Sequence, residues 1–358
     1  MPDLGRLEIS RLDGSSLGVE VDFDSSLACL RQCIEESCGD LDVLAYQLLR
    51  EDGTAIDLGQ GSDVTLAQLG LVSGDGLLLT TRSTRDYGRI ENFQKVIKCH
   101  AYPNGVFITA NSETISCHYS GRIQVRSADY ELLREREYRP ECTSASQMAM
   151  TAAGELVVAF SDCVGVIDFT TLDLKRTFGK EVRFNYVRGL ALMDDELVFV
   201  SDYSARCIFV FNLEDGKLLR VLGRDEGNLQ FQPCGLCVID SNTLAVCDRG
   251  GQKLQLITPD GEHIRDLAQG GGRSRDPSTV GLPNDVAVDP DGNMLVMDTV
   301  GERIAVFRQD GDLVASIMPG WFKNHGNTFS YLAYNHVTGA IVVSNNDEHC
   351  IAVLSSLF

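Results

Sequence analysis

The sequence predicts a mainly β chain in which a small α+β module precedes a β-propeller of six four-stranded blades. One observation is a pattern that recurs six times: apolar alternation, a tight turn, apolar alternation, and then an Asp or Asn. Such segments are typical of β-hairpins. A second observation is the period of 40 (Asp162 to Asp202) to 51 residues (Asn111 to Asp162), enough for four strands. The third is a change in composition, because residues 1–82 hold 15 acidic residues, 5 arginines and no lysine.

The clearest copy of the repeat is "GLPNDVAVDPDGNMLVMDTVGERIAVFRQDGDLV" at 281–314. The other copies span 97–131, 146–175, 188–217, 233–262 and 331–356. An Asp or Asn is expected to close the second strand of every copy: Asn111, Asp162, Asp202, Asp248, Asp298 and Asn345. Such a residue can cap the next loop and hold a cation such as Arg303, Arg206 or Lys253 nearby. We interpret these residues as a structural device of the repeat and not as catalytic acids.

The repeat copies resemble the NHL repeat family over residues 88–358. The signature of that family is an AVD-x-x-G-x-I-Y-V-x-D core followed by R-I-x-V-F. This resemblance implies a six-bladed NHL-type β-propeller, which we assign to 94–358. The last copy stops after its third strand, which would leave an unpaired edge. We therefore expect the segment 87–93, within a linker and closing strand at 84–93, to supply the missing outer strand. Loss of the C-terminal dozen residues is then expected to unfold the propeller.

The first eighty residues predict a different module. The stretch 6–39 indicates a hairpin and then a helix, in which apolar residues such as Leu30 recur at three- and four-residue spacing. Further strand and turn signals follow at 46–57 and 64–82. This ββαββ order resembles ubiquitin over 5–82, and the resemblance implies a ubiquitin-like (β-grasp) domain at 1–83.

The resemblance to ubiquitin also implies a patch on the sheet that partners bind. Its central position falls on Gln47 or Leu49, depending on a register difference of one residue. We assign the patch to Leu12, Leu49, Leu78 and Thr80. Alternatively, Leu12 and Leu78 pack against the propeller.

Charge and cysteine content restrict the function classes. A net charge of −20 disfavours binding to DNA, RNA or an acidic membrane. No apolar stretch is long enough for a membrane-spanning helix. Twelve cysteines lie scattered, mostly within apolar segments, which favours buried reduced thiols and a cytoplasmic protein.

Function in a propeller is expected on the face that carries the blade-to-blade connections, here 179–189, 223–233, 269–283 and 319–329. We name this end of the propeller the loop face. Basic and aromatic residues gather there and predict a surface for an acidic peptide or for single-stranded RNA. The candidate residues are Arg183, Phe184, Tyr186, Arg188, Arg224, Phe231, Arg249, Arg273, Arg275, Trp321, Phe322 and Lys323. Alternatively, the aromatic side chains fasten loops onto blades and the charges are solvated.

Enzymatic chemistry has weaker support in the sequence. Some propellers that resemble NHL repeats are zinc-dependent lyases or calcium-dependent lactonases. His100 and His336, or Asn284 with Asp285 and Asn335, are candidate ligands for such ions, but neither set is complete. We therefore expect no metal, no cofactor and no catalytic residue, and favour a scaffold that binds protein partners. The alternatives are an RNA-binding propeller or a metal-dependent hydrolase or lyase.

Overall fold

A computed structural model describes two parts of the chain. In the N-terminal region it describes the strands and residues 30, 65–66 and 71, and beyond that region it describes residues 93–99, 102–223, 231–269, 279–317 and 329–354. The chain forms two compact units, Met1–Asp86 and Tyr87–Phe358. No helix among the described residues has the length and apolar character that spanning a membrane requires.

The first unit contains a five-stranded mixed sheet. Its strands are β1 Gly5–Arg11, β2 Ser16–Val21, β3 Tyr46–Arg50, β4 Ala55–Ile56 and β5 Gly76–Thr81. Their spatial order is β2-β1-β5-β3-β4, with β1 and β5 parallel and the other pairs antiparallel. Leu30 is helical and fully buried, whereas the rest of the predicted helix lies outside the described residues. The register of β3 and β5 pairs Leu49 with Leu78 and Gln47 with Thr80. Leu12 lies outside the described residues.

The second unit is a six-bladed β-propeller of antiparallel four-stranded sheets. The first three blades, written from the inner strand outward, are β7 Pro103–Ile108, β8 Thr114–His118, β9 Arg122–Arg126 and β10 Leu132–Glu137; β11 Ala145–Met150, β12 Glu155–Phe160, β13 Val164–Asp168 and β14 Leu174–Phe178; and β15 Val187–Met193, β16 Leu197–Asp202, β17 Cys207–Asn212 and β18 Leu218–Leu222. A short 3₁₀ turn, Lys180–Val182, precedes β15.

The last three blades repeat this order. They are β19 Pro233–Asp240, β20 Thr243–Asp248, β21 Lys253–Ile257 and β22 His263–Gln269; β23 Pro283–Val288, β24 Met294–Asp298, β25 Arg303–Phe307 and β26 Leu313–Ile317; and β27 Phe329–Tyr334, β28 Ile341–Asn345 and β29 Cys350–Leu354 with β6 Phe93–Lys98 outermost. Each inner strand packs beside the inner strands of its two neighbours, and β27 packs against β7 to complete the ring.

The closing strand lies later in the chain than the sequence predicted. The strand that pairs with β29 is Phe93–Lys98, which shares only Phe93 with the predicted segment, and residues 87–92 lie outside the described residues. The reason is the position of the inward apolar side chains. Ile97 is buried in the cluster that contains Ile351 and Val353 of β29. By contrast, the sequence at 89–92 contains one apolar residue and three charged or polar ones.

The apolar core lies between neighbouring blades. Because sheets stack face against face around the ring, each blade contributes side chains to the layers on both sides. Val306 of the fifth blade and Val343 of the sixth lie in one such layer, and both are fully buried. All the cysteines of the described blades are unbonded thiols, and every one except the half-buried Cys237 is buried.

The Asp or Asn of the repeat closes the second strand in four blades, as predicted: Asp202, Asp248, Asp298 and Asn345 end β16, β20, β24 and β28. Asp162 lies just beyond β12, in a shortened loop. The prediction for Asn111 is wrong, because that residue is in the exposed turn between β7 and β8. The residue that ends β8 is His118, so the expected Asp or Asn is replaced there.

Candidate functional site

The repeated aspartates shape the loop face by holding the backbone of two loops at once. Asp202 accepts hydrogen bonds from the backbone N–H groups of Asn185 (2.6 Å) and Tyr186 (3.0 Å), which enter the inner strand, and of Ala205 (2.8 Å), which leaves the second strand. Asp248 Oδ1 accepts equivalent hydrogen bonds from the backbone N–H groups of Gln232 and Gly251, both at 2.9 Å. The blade connections are therefore fixed relative to the inner strands that they precede.

Asp162 performs this task although its position has shifted. Its Oδ1 accepts from the backbone N (3.1 Å) and from Oγ1 (2.7 Å) of Thr143, which lies before the inner strand of the second blade. Burial raises the pKa of Asp248 above its usual range, and the hydrogen bonds from Gln232 and Gly251 oppose that shift. These contacts are consistent with the structural role that the sequence predicted.

Among the cations expected near these aspartates, only one forms the expected pair in the described residues. The Nε of Arg303 lies 3.3 Å from Oδ2 of Asp298, and both side chains are buried. Lys253 pairs instead with Asp266, at 3.1 Å. Arg206 forms no ion pair with a described residue.

In five blades the second residue of the inner strand borders the channel mouth on the loop face: Asn104, Ser146, Arg188, Asn284 and Ser330. The equivalent residue of the fourth blade, Cys234, is buried in the core. Asn104 Nδ2 donates to the carbonyl of Ala145 at 2.8 Å, and Asn284 Nδ2 donates to the carbonyl of Ser330. Two asparagines therefore connect neighbouring inner strands and present their carboxamide oxygens to other groups.

Two depressions open at this mouth. We name the first, a cavity of about 260 Å³, the mouth depression; its walls are formed by Tyr102, Asn104, Tyr119, Ser144, Ser146, Ser161, Tyr186, Val187, Arg188, Tyr331 and Asn346. We name the second, of about 290 Å³, the arginine pocket; its walls are formed by Tyr186, Arg188, Tyr203, Arg249, Asn284, Thr299 and Ser330. They share Tyr186 and Arg188, so a ligand that fills both would be contacted by several blades.

Arg188 is held on three sides. Its guanidinium lies 5.3 Å from the ring centroid of Tyr186 and 5.6 Å from that of Tyr331, distances typical of cation–π contacts. Nη1 donates to the Tyr186 hydroxyl at 3.1 Å, and Nη2 donates to Asn284 Oδ1 at 2.6 Å. Arg249 Nη1 donates to the same Asn284 oxygen at 3.0 Å. Two arginines from different blades thus meet at one carboxamide.

The predicted loop-face residues fall into separate groups. Tyr186, Arg188 and Arg249 come together at the mouth, as described above. Arg183 is exposed and lines neither depression. Arg224, Arg273, Arg275, Trp321, Phe322 and Lys323 lie outside the described residues.

Two aromatic residues in the predicted set pack into the blades. Phe184 forms edge contacts with Phe209 and Phe211, at centroid distances of 5.4 and 6.2 Å. Phe231 is buried against Gly223. The alternative interpretation, in which aromatics fasten loops to blades, is therefore the one that describes these two residues.

Sequence reasoning missed the tyrosines that other blades contribute. Tyr102 and Tyr119 from the first blade and Tyr331 from the sixth line the mouth depression. Tyr102 and Tyr119 flank β7 and β8 at their loop-face ends. The available signal was their position, since residues just before an inner strand or just after a second strand occupy the loop face in every blade.

The channel changes character away from the mouth. Asp285 is buried, and its Oδ2 accepts from Leu332 N (3.0 Å) and Gln147 Nε2 (3.4 Å). Burial raises the pKa of Asp285 to about 7, against the opposing effect of its backbone hydrogen bonds and of Arg188. Beyond it the wall is mainly apolar, with Phe107 and Leu192 among its residues, around a cavity of about 430 Å³.

The residues considered for an ion do not converge. Asn284 is on the loop face, whereas Asn335 follows the far end of β27 and caps its turn by accepting from Val337 N and Thr338 N, at 2.9 and 3.0 Å. His336 lies in that same turn, and His100 is outside the described residues. Within the described ranges, no group of three or more His, Cys, Asp or Glu side chains is placed to hold a metal ion.

No protein-family model matches the chain, and no curated protein matches it. Solved structures do resemble it. A streptogramin B lyase superimposes with a TM-score of 0.57 at 10% identity, covering 73% of this chain and 96% of that one. A catalytically inactive virginiamycin B lyase from Staphylococcus aureus, solved with quinupristin, gives a TM-score of 0.56 at 12% identity and covers 74% and 100%. At these identities the likeness shows the propeller fold alone.

Proposed function

We propose that the chain is a non-enzymatic interaction scaffold whose propeller binds a protein partner on the loop face. The observation that carries this proposal is the set of exposed tyrosines around the mouth depression. Tyr102, Tyr119 and Tyr186 expose 48%, 58% and 49% of their surface although they border a concave site. Tyrosine and arginine are among the residues most enriched at energetically important interface positions. Tyrosine also loses little side-chain entropy when a partner immobilises it.

Peptide display tests this proposal. A library of random peptides is selected against the immobilised full chain, and the enriched peptides are measured against a Tyr119→Ala/Tyr186→Ala double variant. We expect enrichment with the unaltered chain and a loss of binding of at least about tenfold in the variant, as removal of interface hot spots typically causes. The matched control is Val337→Ser, because Val337 is 67% exposed in the turn at the opposite end of the propeller. Equal binding by the double variant and the control would reject the loop face.

The proposal includes NHL-type repeats and a ubiquitin-like N-terminal unit that docks a second partner in a ubiquitin-linked pathway. The strand order β2-β1-β5-β3-β4, with its parallel central pair, supports the second assignment, and the repeat cores support the first. Titration of the full chain with a ubiquitin-binding helical domain tests the docking role. Binding should weaken in a Leu49→Ala/Leu78→Ala variant, and an absence of binding by the unaltered chain would remove this part of the proposal. Free thiols throughout the described blades support a cytoplasmic location.

Single-stranded RNA is the second candidate ligand, because exposed tyrosines can stack bases beside arginines. The net charge of −20 opposes it. A gel shift with single-stranded RNA at two salt concentrations distinguishes the two ligands, since RNA binding must weaken steeply with salt. A hydrolase or lyase has no support beyond the propeller fold, and metal analysis of the purified protein tests it.

A further inference from the structure

We propose that Arg188 and Arg249 form a receptor for one carboxylate group, so that the protein partner presents an Asp or Glu side chain in the arginine pocket. This inference rests on the proposed function and specifies the chemistry of the partner. Its basis is the convergence of both guanidinium groups on Asn284 Oδ1, at 2.6 and 3.0 Å. Asn284 is itself fixed by its donation to the carbonyl of Ser330. Two positive charges are therefore held side by side by one neutral acceptor.

In the part of the chain that the structure describes, neither guanidinium makes an ion-pair contact with a carboxylate, although Asp285 is close enough for Arg188 to oppose the rise in its pKa. Other arginines of the blades, such as Arg122, Arg134 and Arg303, each form an ion pair with an Asp or Glu. Neither Arg188 nor Arg249 forms one with a described residue. Like charges at close range repel unless an anion lies between or beside them. An anionic ligand would relieve this repulsion, and relief of repulsion contributes to its affinity.

The acid that adjoins Asn284 in the chain is already engaged by other groups. Asp285 follows Asn284 in the chain, but its Oδ2 is engaged by Leu332 N and Gln147 Nε2 on the channel side. It lines neither the mouth depression nor the arginine pocket. The described walls of the arginine pocket contain tyrosine, asparagine, threonine and serine beside the two arginines, and no acidic residue. Those walls therefore offer mainly hydrogen-bond donors and positive charge.

The donors are already oriented before a ligand arrives. Arg188 is stacked between Tyr186 and Tyr331, and its Nη1 is tied to the Tyr186 hydroxyl. A guanidinium has five N–H groups, and the contacts described here use two from Arg188 and one from Arg249. The remaining groups suit the bidentate hydrogen bonding that carboxylates accept from arginine. A fixed fork also loses less entropy on binding than a free arginine side chain.

The size and charge of the site favour a single carboxylate on a peptide. The cavity of about 290 Å³ lies at the lower limit of small-ligand sites, which suits one side chain. It continues into the mouth depression through Tyr186 and Arg188, so the rest of the peptide has a surface to occupy. The charge of −20 repels a polyanion more than a peptide with one acid. A phosphorylated peptide is left as an outcome of the test.

The first experiment is a double-mutant cycle with peptides enriched by display on the full chain. Enriched peptides should share an Asp or Glu at one position, and replacing it by Asn or Gln should weaken binding at least about tenfold. In the Arg249→Gln variant the acidic and amide peptides should bind alike. The matched control is Arg183→Gln, which removes one positive charge from the same face but lines neither depression; there the preference for the acid should persist. A peptide with phosphoserine at that position tests whether the arginine pocket binds a phosphate more tightly than a carboxylate.

The second experiment needs no peptide. Thermal unfolding of the full chain is followed while glutarate, phosphate or chloride is added at constant ionic strength. A ligand that binds only the folded state raises the unfolding midpoint in a saturable way. We expect glutarate to do so in the unaltered chain and in Arg183→Gln but not in Arg249→Gln.

The outcomes separate the two proposals. Enriched peptides with no shared acid, together with no glutarate response, overturn the carboxylate receptor and leave the scaffold proposal standing. A glutarate response without any enriched peptide supports the receptor and contradicts the scaffold. A response to phosphate or phosphoserine that exceeds the response to carboxylate overturns the choice of carboxylate.

Discussion

Gly235 of the fourth blade lies directly against the buried Asp285 of the fifth. A Cβ atom on Gly235 would stand 2.3 Å from Oδ1 and 2.4 Å from Cα of Asp285. The same relationship recurs at Gly189, where a Cβ would meet the carbonyl oxygen of Cys234 at 2.3 Å, and at Gly105, where it would meet that of Ser146 at 2.6 Å. All three glycines are the third residue of an inner strand. Their missing side chains allow neighbouring inner strands to approach closely.

Substitution of Gly235 by Ala should therefore destabilise the propeller. The added methyl group would meet backbone that cannot rotate away, and overpacking of this kind typically costs about 1 to 3 kcal/mol or more. The control is Gly154→Ala, because Gly154 has open space around it but a φ of 79°, so its cost should be limited to left-handed strain of roughly 1 kcal/mol. Midpoints of urea unfolding measure both. A smaller loss of stability in Gly235→Ala than in Gly154→Ala would contradict the proposed close packing.

Asp285 should make stability depend on pH. Burial raises its pKa to about 7, whereas the unfolded chain has an ordinary aspartate pKa of about 3.9. Between these two values the folded protein retains a proton that the unfolded chain has released. This contribution therefore disfavours the folded state increasingly as pH rises from 4 to 7 and becomes constant above 7.

The variant Asp285→Asn removes this titration while keeping an acceptor oxygen for Leu332 N. Relative to the unaltered chain, it should gain stability as pH rises from 4.5 to 7.5, by an amount on the order of a few kcal/mol at most. Unfolding midpoints measured across that range test the expectation. A stability difference that stays constant with pH would show that Asp285 is ionised in the folded protein throughout.

The buried pair of Asp298 and Arg303 should be the most sensitive of the repeated caps. Besides the 3.3 Å contact with Arg303 Nε, Asp298 accepts from Gly281 N (3.1 Å) and Gly301 N (3.1 Å). Asp298→Ala would remove a carboxylate that contacts a buried guanidinium, a change that typically costs about 3 to 5 kcal/mol. Urea unfolding of the full chain measures this loss of stability.

Two controls distinguish this cost from the loss of a simple cap. Asp162→Ala removes a partly exposed carboxylate whose hydrogen bonds within the described residues go only to Thr143, and it should cost about 1 kcal/mol. The double variant Asp298→Ala/Arg303→Met should be more stable than Asp298→Ala alone, since it also removes the buried charge that Asp298 neutralises. If the double variant is the less stable of the two, the buried charge is not the cause.

The ring of six sheets could be predicted from the sequence because its signal is local and repeated. Alternation, turns and the closing Asp lie within about forty residues of one another in each copy. The prediction failed at Asn111 because the turn after β7 contains an asparagine, while the equivalent of the closing Asp is His118. It placed the closing strand too early because the feature that locates the strand, the packing of Ile97 against β29, is a contact between distant parts of the chain.

The site was harder to predict because its contacts are distant in sequence. Arg188 and Asn284 are 96 positions apart, and Tyr331 is further still. Only the closed ring brings these residues to one mouth. The sequence places Phe184 on the surface because aromatic residues in a connection look alike in sequence, whether they face solvent or, as here, pack on Phe209 and Phe211.

The closing strand provides the last prediction. β6 pairs with β29 from Lys98 opposite Cys350 to Phe93 opposite Leu354, and Cys99 N donates to the carbonyl of His349 at 2.6 Å. A fragment of residues 87–358 keeps this strand, and that range is a compact unit by itself. A fragment of residues 101–358 has the same six repeat copies in almost their full length but loses the strand.

We expect the 87–358 fragment to be monomeric and to unfold in one cooperative transition. The 101–358 fragment should lose that cooperativity and aggregate, because removal of β6 exposes the edge of β29 and uncovers the apolar layer that Ile97 completes. Circular dichroism during heating and size-exclusion chromatography measure both properties. Because only fourteen positions separate the two starting points, a difference in folding can be assigned to the closing strand. Equal cooperativity in both fragments would mean that the sixth blade is stable with three strands, and the ring would then not depend on pairing between distant parts of the chain.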